Sequence, residues 1–178
     1  ITPTEVILNR DLNLSGKNVT WLPDNLTVKG DLDLKYTPIT KLPNNLEIHG
    51  SLWLGNSLIT ELPNDLKVYG TLDLENSLIT KLPDNLKNYG SLWLGNSLIT
   101  ELPDNLEIHG SLWLENSLIT KLPNNLEILG SLLLGDLKIA ELPNDIQVKR
   151  YIYVRPHQKQ LIKFIKNSKF RSKLEIYN

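Results

Sequence analysis

The sequence predicts a mainly β, right-handed solenoid of 20-residue rungs, with one parallel β-sheet per face and a short C-terminal capping helix and strand. Three observations carry this. Pro23, Pro43, Pro63, Pro83, Pro103, Pro123 and Pro143 recur every 20 residues, and the chain aligns on them without insertion or deletion from Leu8 to Arg155. Within a repeat, apolar or small residues fall at every second position, as in Leu46, Ile48, Gly50, Leu52 and Leu54, which is the period of a strand. After Pro156 the period changes: Leu161, Phe164 and Ile165 have the i, i+3, i+4 spacing of an amphipathic helix.

Each element follows from that frame. Residues 1–20 read as an N-terminal capping rung, keeping Leu12, Leu14 and Val19 but placing Asn9, Lys17 and Asn18 where later rungs carry other repeat residues. Residues 21–155 are the repeat solenoid, with strands centred on Leu12–Leu14 and then every twenty residues to Leu132–Leu134. A rung reads L-P-x-x-L-x-I-x-G-S-L-x-L-x-N-S-L-I-T-x, and residues 50–63 and 90–103 are identical. Gly30 to Gly130, one per rung, supply a bend or a close backbone approach. Ile59 and Leu62 return to the core, Pro63 fixes φ, and Asn64 and Asp65 form a turn. Ser57, Ser77, Ser97 and Ser117, with Thr37, are expected to aim their hydroxyls at backbone groups inside the turn, an internal ladder that satisfies buried amides. One inward column is anomalous, since Leu8, Val28, Ile48, Val68, Asn88, Ile108, Ile128 and Val148 contain a single polar member. Residues 156–178 close the last rung with a helix and a final strand through Leu174 and Ile176. The three segments make one domain, large enough at 178 residues to bury its own core.

The stretch Leu52-Trp53-Leu54-Gly55-Asn56-Ser57-Leu58-Ile59-Thr60-Glu61-Leu62-Pro63 resembles the L-x-L-x-x-N-x-L-x-x-L-P of short bacterial leucine-rich repeats. It departs from them in holding Ser57 or Thr37 at the buried Asn position, and in a convex segment that reads L-x-I-x-G. The pattern is similar to 20-residue repeat proteins of unassigned function encoded by large bacteriophages and some bacteria. The resemblance implies a leucine-rich-repeat-like fold, either a curved horseshoe or a straighter β-helix, and a place in the cytoplasm of a bacterial or phage-infected cell. It implies little about activity.

Composition narrows the chemistry. With no cysteine, disulfides and thiolate metal sites are excluded. No apolar run approaches the roughly 18 residues of a membrane helix, and Ile1 to Arg10 lack the layout of a signal peptide. The absence of Met points to a processed or trimmed chain. The net charge of −1 conceals a division. Residues 1–148 hold 10 Lys/Arg against 19 Asp/Glu, a net of −9, while residues 149–178 hold 9 Lys/Arg against one acid, a net of +8.

Surface columns carry the functional expectation. With Leu52 and Leu54 inward, the outward column reads Asn13, Asp33, Trp53, Asp73, Trp93, Trp113, Leu133 and Tyr153. Exposed Trp and Tyr are enriched where partners dock, so Trp53, Trp93 and Trp113, with Asp31, Asp33, Asp73, Tyr153 and Arg155 around them, are the expected binding residues of a non-enzymatic protein-binding module. Stacking of Trp93 on Trp113 as plain sheet stabilisation is the bland alternative. A carbohydrate-binding or fibre-like structural solenoid is the rival function, because Trp53 and Trp93, two rungs and about 10 Å apart, match the length of a disaccharide. Asp11, Asp31 and Asp33 read as a solvated acidic patch rather than a catalytic pair. His49 and His109 are roughly 14 Å apart at sheet spacing and cannot share a metal. With Tyr69 and Tyr89 they form a second outward column, which widens the Trp patch only if both share one face. Lys41, Glu61, Lys81, Glu101, Lys121 and Glu141 alternate in sign, as neighbouring ion pairs would. No phosphate loop or nucleophile elbow is present, and no cofactor is implied. The basic tail attracts anions, but the acidic body disfavours nucleic acid. No membrane partner is expected.

Overall fold

The computed structural model describes residues 5–178, so the first four residues of the expected capping rung lie outside it. Eight coils each contribute two short strands. In chain order these are β1 (Val6–Leu8), β2 (Leu12–Asn13), β3 (Leu26–Val28), β4 (Leu32–Asp33), β5 (Glu47–Ile48), β6 (Leu52–Trp53), β7 (Lys67–Val68) and β8 (Leu72–Asp73). They continue with β9 (Lys87–Asn88), β10 (Leu92–Trp93), β11 (Glu107–Ile108), β12 (Leu112–Trp113), β13 (Glu127–Ile128), β14 (Leu132–Leu133), β15 (Gln147–Val148) and β16 (Ile152–Val154). The odd-numbered strands β1 to β15 form one parallel sheet; the even-numbered strands form a second, to which the C-terminal β17 (Leu174–Ile176) adds a ninth strand beside β16. Between coils every register is a shift of 20, such as Leu52 opposite Leu72 and Leu92 opposite Leu112, while β17 pairs with β16 at a shift of 22, Ile152 opposite Leu174. The chain is thus a β-solenoid of 20-residue coils with two parallel sheets.

The alternating pattern works as physical chemistry requires. Leu52, Leu54, Ile59, Ile48 and Leu46 are fully buried and repeat in register through the coils, so the inward columns stack aliphatic side chains, with Asn88 the exception. Burying one such side chain is worth about 1.5–3 kcal/mol. Backbone amides close the stack: Leu52 N–H donates to the Thr71 carbonyl at 2.8 Å, and Leu54 N–H to that of Asp73 at 2.8 Å. No α-helix precedes the C-terminal cap among the described residues.

The corner between the sheets shows what the glycine column is for. None of Gly30 to Gly130 has a left-handed φ. They are required by contact, since a Cβ on Gly90 would lie 2.3 Å from the Gly70 carbonyl oxygen and 2.4 Å from its carbon. The left-handed positions are held mainly by asparagine, at Asn56, Asn76, Asn96 and Asn116 after the second sheet, where Gly16, Tyr36 and Asp136 fill the same column, and at Asn25, Asn45, Asn105 and Asn125 before the first. Asn tolerates that region better than other side chains with a Cβ.

The turn hydroxyls do point at backbone inside the turn, Ser117 excepted, whose buried Oγ has no partner, but they form no ladder on amides. Ser57, Ser77, Ser97 and Thr37 each donate 2.7 Å bonds to the carbonyl three residues earlier in their own coil, at Leu54, Leu74, Leu94 and Leu34. They satisfy carbonyls within a turn and not amides between coils. The inter-coil ladder runs six positions earlier, at the corner between the sheets: Ser111 N–H donates to Ser91 Oγ at 3.0 Å, Ser131 N–H to Ser111 Oγ at 3.0 Å and Thr71 N–H to Ser51 Oγ at 3.1 Å.

The cap forms as its spacing predicts. Helix α1 (Lys159–Lys166) buries Leu161 and Ile165, and Phe170 is buried after it. A 3-10 turn (Arg171–Lys173) leads into β17, which continues the second sheet. At the other end Val6, Leu8, Leu12, Leu14 and Val19 are only half-buried, the condition of a terminal coil.

Candidate functional site

The outward column of the second sheet stands as the strand period places it, yet its members are not a free-standing row. Trp53 is paired with Asp33 on one side and Asp73 on the other, and Trp93 lies between Asp73 and Trp113. The indoles of Trp53 and Trp93 nevertheless touch, with ring centroids 5.7 Å apart and edge to face. They therefore lean over the short Asp73 between them, which is only 5% exposed. Trp93 and Trp113 stack at 5.1 Å with planes 30° apart. The three indoles form one continuous half-buried ridge. The 10 Å gap expected between Trp53 and Trp93 does not exist, because an Asp of half the length cannot hold two indoles apart.

The acids of this face have assigned tasks. Asp33 Oδ1 accepts from the Lys35 N–H at 3.0 Å and Asp73 Oδ1 from the Glu75 N–H at 2.9 Å, each fixing the turn that follows its strand. Asp31 is not part of a solvated patch: its Oδ1 accepts from the Ser51 N–H at 2.7 Å, and Asp11 does the same for Asp31 at 2.9 Å. Both belong to the inter-coil ladder that serine continues. Burial pushes the Asp73 carboxyl above its ordinary range, against the opposing pull of the Glu75 amide and Lys35. Burial likewise raises Glu75, reinforced by the charges of Asp73 and Glu115.

At the C-terminal end Tyr153 and Tyr177 meet edge to face at 6.0 Å. The Arg155 guanidinium lies 4.4 Å from the Tyr177 ring centre, donates to Glu115 at 3.3 Å, and has Asp136 at 3.8 Å. The Tyr177 hydroxyl also donates to Glu115. Burial, then the Glu115 bond, raises the Tyr177 hydroxyl well above its usual range. At the other end, the Lys35 ammonium sits 4.8 Å from the centre of the Trp53 ring.

The second aromatic column is a separate stack on the first sheet. Tyr69 and Tyr89 are parallel at 5.2 Å, flanked by His49 at 5.2 Å and His109 at 5.4 Å. No ring contact joins it to the indole ridge among the described residues. Each histidine has its own acid, Glu47 at 2.9 Å and Glu107 at 2.8 Å. Among the described residues no group of three His, Cys, Asp or Glu could hold a metal ion, and no helix is long and apolar enough to cross a membrane. The alternating charge column makes ion pairs at Lys41–Glu61, 2.7 Å, and Lys81–Glu101, 3.4 Å.

Two features escaped the sequence reading. Glu75 and Glu115 alternate with Gly55, Gly95 and Gly135 in the column beside the indoles, a pattern visible in the repeat alignment. Leu58, Leu78, Leu98 and Leu118 form a second apolar stripe, 40–53% exposed, on the return segment. Their position next to the buried Ile59 column signals it. The chain matches no protein-family model and no curated protein.

Proposed function

We propose that the chain is a non-enzymatic protein-binding module, a solenoid of leucine-rich-repeat type that presents the indole ridge of its second sheet to a partner. The observation that carries this reading is the half-buried ridge of Trp53, Trp93 and Trp113, whose rings are pre-ordered by mutual contact. Rigid aromatic anchors bind with little loss of side-chain freedom, and their truncation typically removes most of an interface's affinity. The core leucines that flank the indoles on each strand are fully buried, so the ridge can be removed without touching them.

The test is the variant Trp53→Ser/Trp93→Ser/Trp113→Ser. A partner captured from the source cells and then purified should bind it more weakly by over about 2 kcal/mol in total, while the thermal midpoint changes by a few degrees only. A variant that unfolds would make the ridge an internal stack of the sheet. A variant that stays folded and keeps its partner would move the interface elsewhere.

A further inference from the structure

The ridge is bracketed by two of the chain's own cations, each over an aromatic ring. At one end the Lys35 ammonium lies 4.8 Å from the Trp53 ring centre, and its charge pulls on the Asp73 carboxyl. At the other the Arg155 guanidinium lies 4.4 Å from the Tyr177 ring centre and donates to Glu115 at 3.3 Å. Both lie over an aromatic face, and Arg155 is also bonded to a carboxylate, the arrangement in which a partly desolvated cation is held best. Between them stand Trp93, Trp113 and Glu75. Glu75 has no Lys or Arg within ion-pair distance among the described residues. Its carboxylate leans over Gly95, where a Cβ would lie 3.1 Å from Oε1 and 3.4 Å from the Glu115 carbonyl, so the missing side chain leaves the carboxylate room there. The neighbouring Asp73 and Glu115 add like charge to it.

We infer that the central part of the ridge receives a Lys- or Arg-rich segment of a partner protein, with a cation seated against the Trp93–Trp113 indoles and paired with Glu75. The inference rests on the protein-binding reading above and names the class of partner. Charge complementarity favours this occupant: residues 1–148 carry a net of −9, which attracts a basic segment and repels nucleic acid. A neutral sugar would leave Glu75 unpaired.

The probe is octaarginine, titrated into the full chain at low salt and followed by tryptophan fluorescence and calorimetry, with octaglutamate as control. Octaarginine should bind saturably and perturb the indole emission, and Glu75→Gln should weaken it by about fivefold or more. Trp113→Leu should weaken it similarly, whereas Glu61→Gln, an exposed acid of the return segment, should leave it unchanged. Equal affinity for Glu75→Gln and wild type would overturn the inference, as would no saturable binding. Self-association abolished by Lys163→Glu would also overturn it, by assigning the ridge to the basic cap of a second copy. If a purified partner loses affinity for the triple Trp→Ser variant but is not displaced by octaarginine, the cationic class falls and the protein-binding reading stands. If that partner is indifferent to the triple variant, the reading itself falls, while the octaarginine titration still decides whether the ridge holds cations.

Discussion

Asn88 occupies a column whose neighbours in register are Val68 and Ile108, and it is 2% exposed. Its Nδ2 donates to the carbonyls of Gly90 at 3.2 Å and Ser91 at 3.0 Å, while its Oδ1 has no partner. Both carbonyls already accept backbone amides, from Gly110 and Leu72 respectively, so neither depends on Asn88. An unpaired buried carbonyl costs about 1–3 kcal/mol. Asn88→Val should therefore melt no lower than wild type, and a gain of about 1 kcal/mol is expected. A drop of several degrees would mean that the amide holds the corner. Asp73 invites a second measurement at this scale. Because burial raises its carboxyl above the ordinary value of 3.8, its favourable contribution is present below that value and is lost as pH rises through the native one. Asp73→Asn keeps an acceptor for the Glu75 amide and removes the buried charge. Urea unfolding should find it at least as stable as wild type at pH 7, with the difference shrinking toward pH 3, where Asp73 is protonated in both folded and unfolded chains. A deficit at pH 7 that persists at pH 3 would contradict this.

The strands themselves are two or three residues long, too short to stand without the coils above and below. What sets the spacing between coils is the corner. Ser91 bonds the amide of Ser111 across it, and glycine lets the two backbones approach. Gly90→Ala puts a methyl into the Gly70 carbonyl and against the Thr71 amide nitrogen, backbone of the preceding coil that cannot yield without breaking the ladder. The expected loss is about 3 kcal/mol or more, seen as a lower urea midpoint. Gly16→Ala is the internal control: its φ of +67 is left-handed but a Cβ there meets nothing within 4 Å. It should cost only about 1 kcal/mol. Equal losses at the two sites would refute close approach as the reason for the glycine column.

The whole molecule is finished by its cap. In the turn column Thr37, Ser57, Ser77 and Ser97 satisfy the carbonyl three residues back, but Leu137 carries no hydroxyl. Gln158 takes over. Its Nε2 donates to Leu134 O at 2.9 Å and Leu137 O at 3.0 Å, and its Oε1 accepts from the Arg155 N–H at 2.7 Å. This buried side chain pins the start of the cap to the last complete turn. Gln158→Leu should destabilise the chain by about 1–3 kcal/mol and loosen the cap first, seen as faster amide exchange in α1 than in β10. Unchanged stability would show that apolar burial of Leu161, Ile165 and Phe170 holds the cap alone.

A strict period of 20 places every residue above its counterpart, and period-two burial sorts inward from outward, so the Leu and Ile columns, both sheets and the capping helix were legible in the sequence alone. The same logic identified the Trp column and the odd Asn88. It could not say how outward side chains settle, because nothing periodic constrains them. Trp53 and Trp93 are kept apart by a residue in sequence register and brought together by its shortness. Asp31 looks like a surface acid until the Ser51 amide lies beside it. Gln158 meets Leu134 across 24 residues, and Tyr177 meets Glu115 across 62. Those contacts join the repeat to a segment outside it, which no alignment of the coils contains. The inward face follows from the repeat because burial there is the same in every coil; the outward face is decided by unlike neighbours, and only the folded chain brings them together.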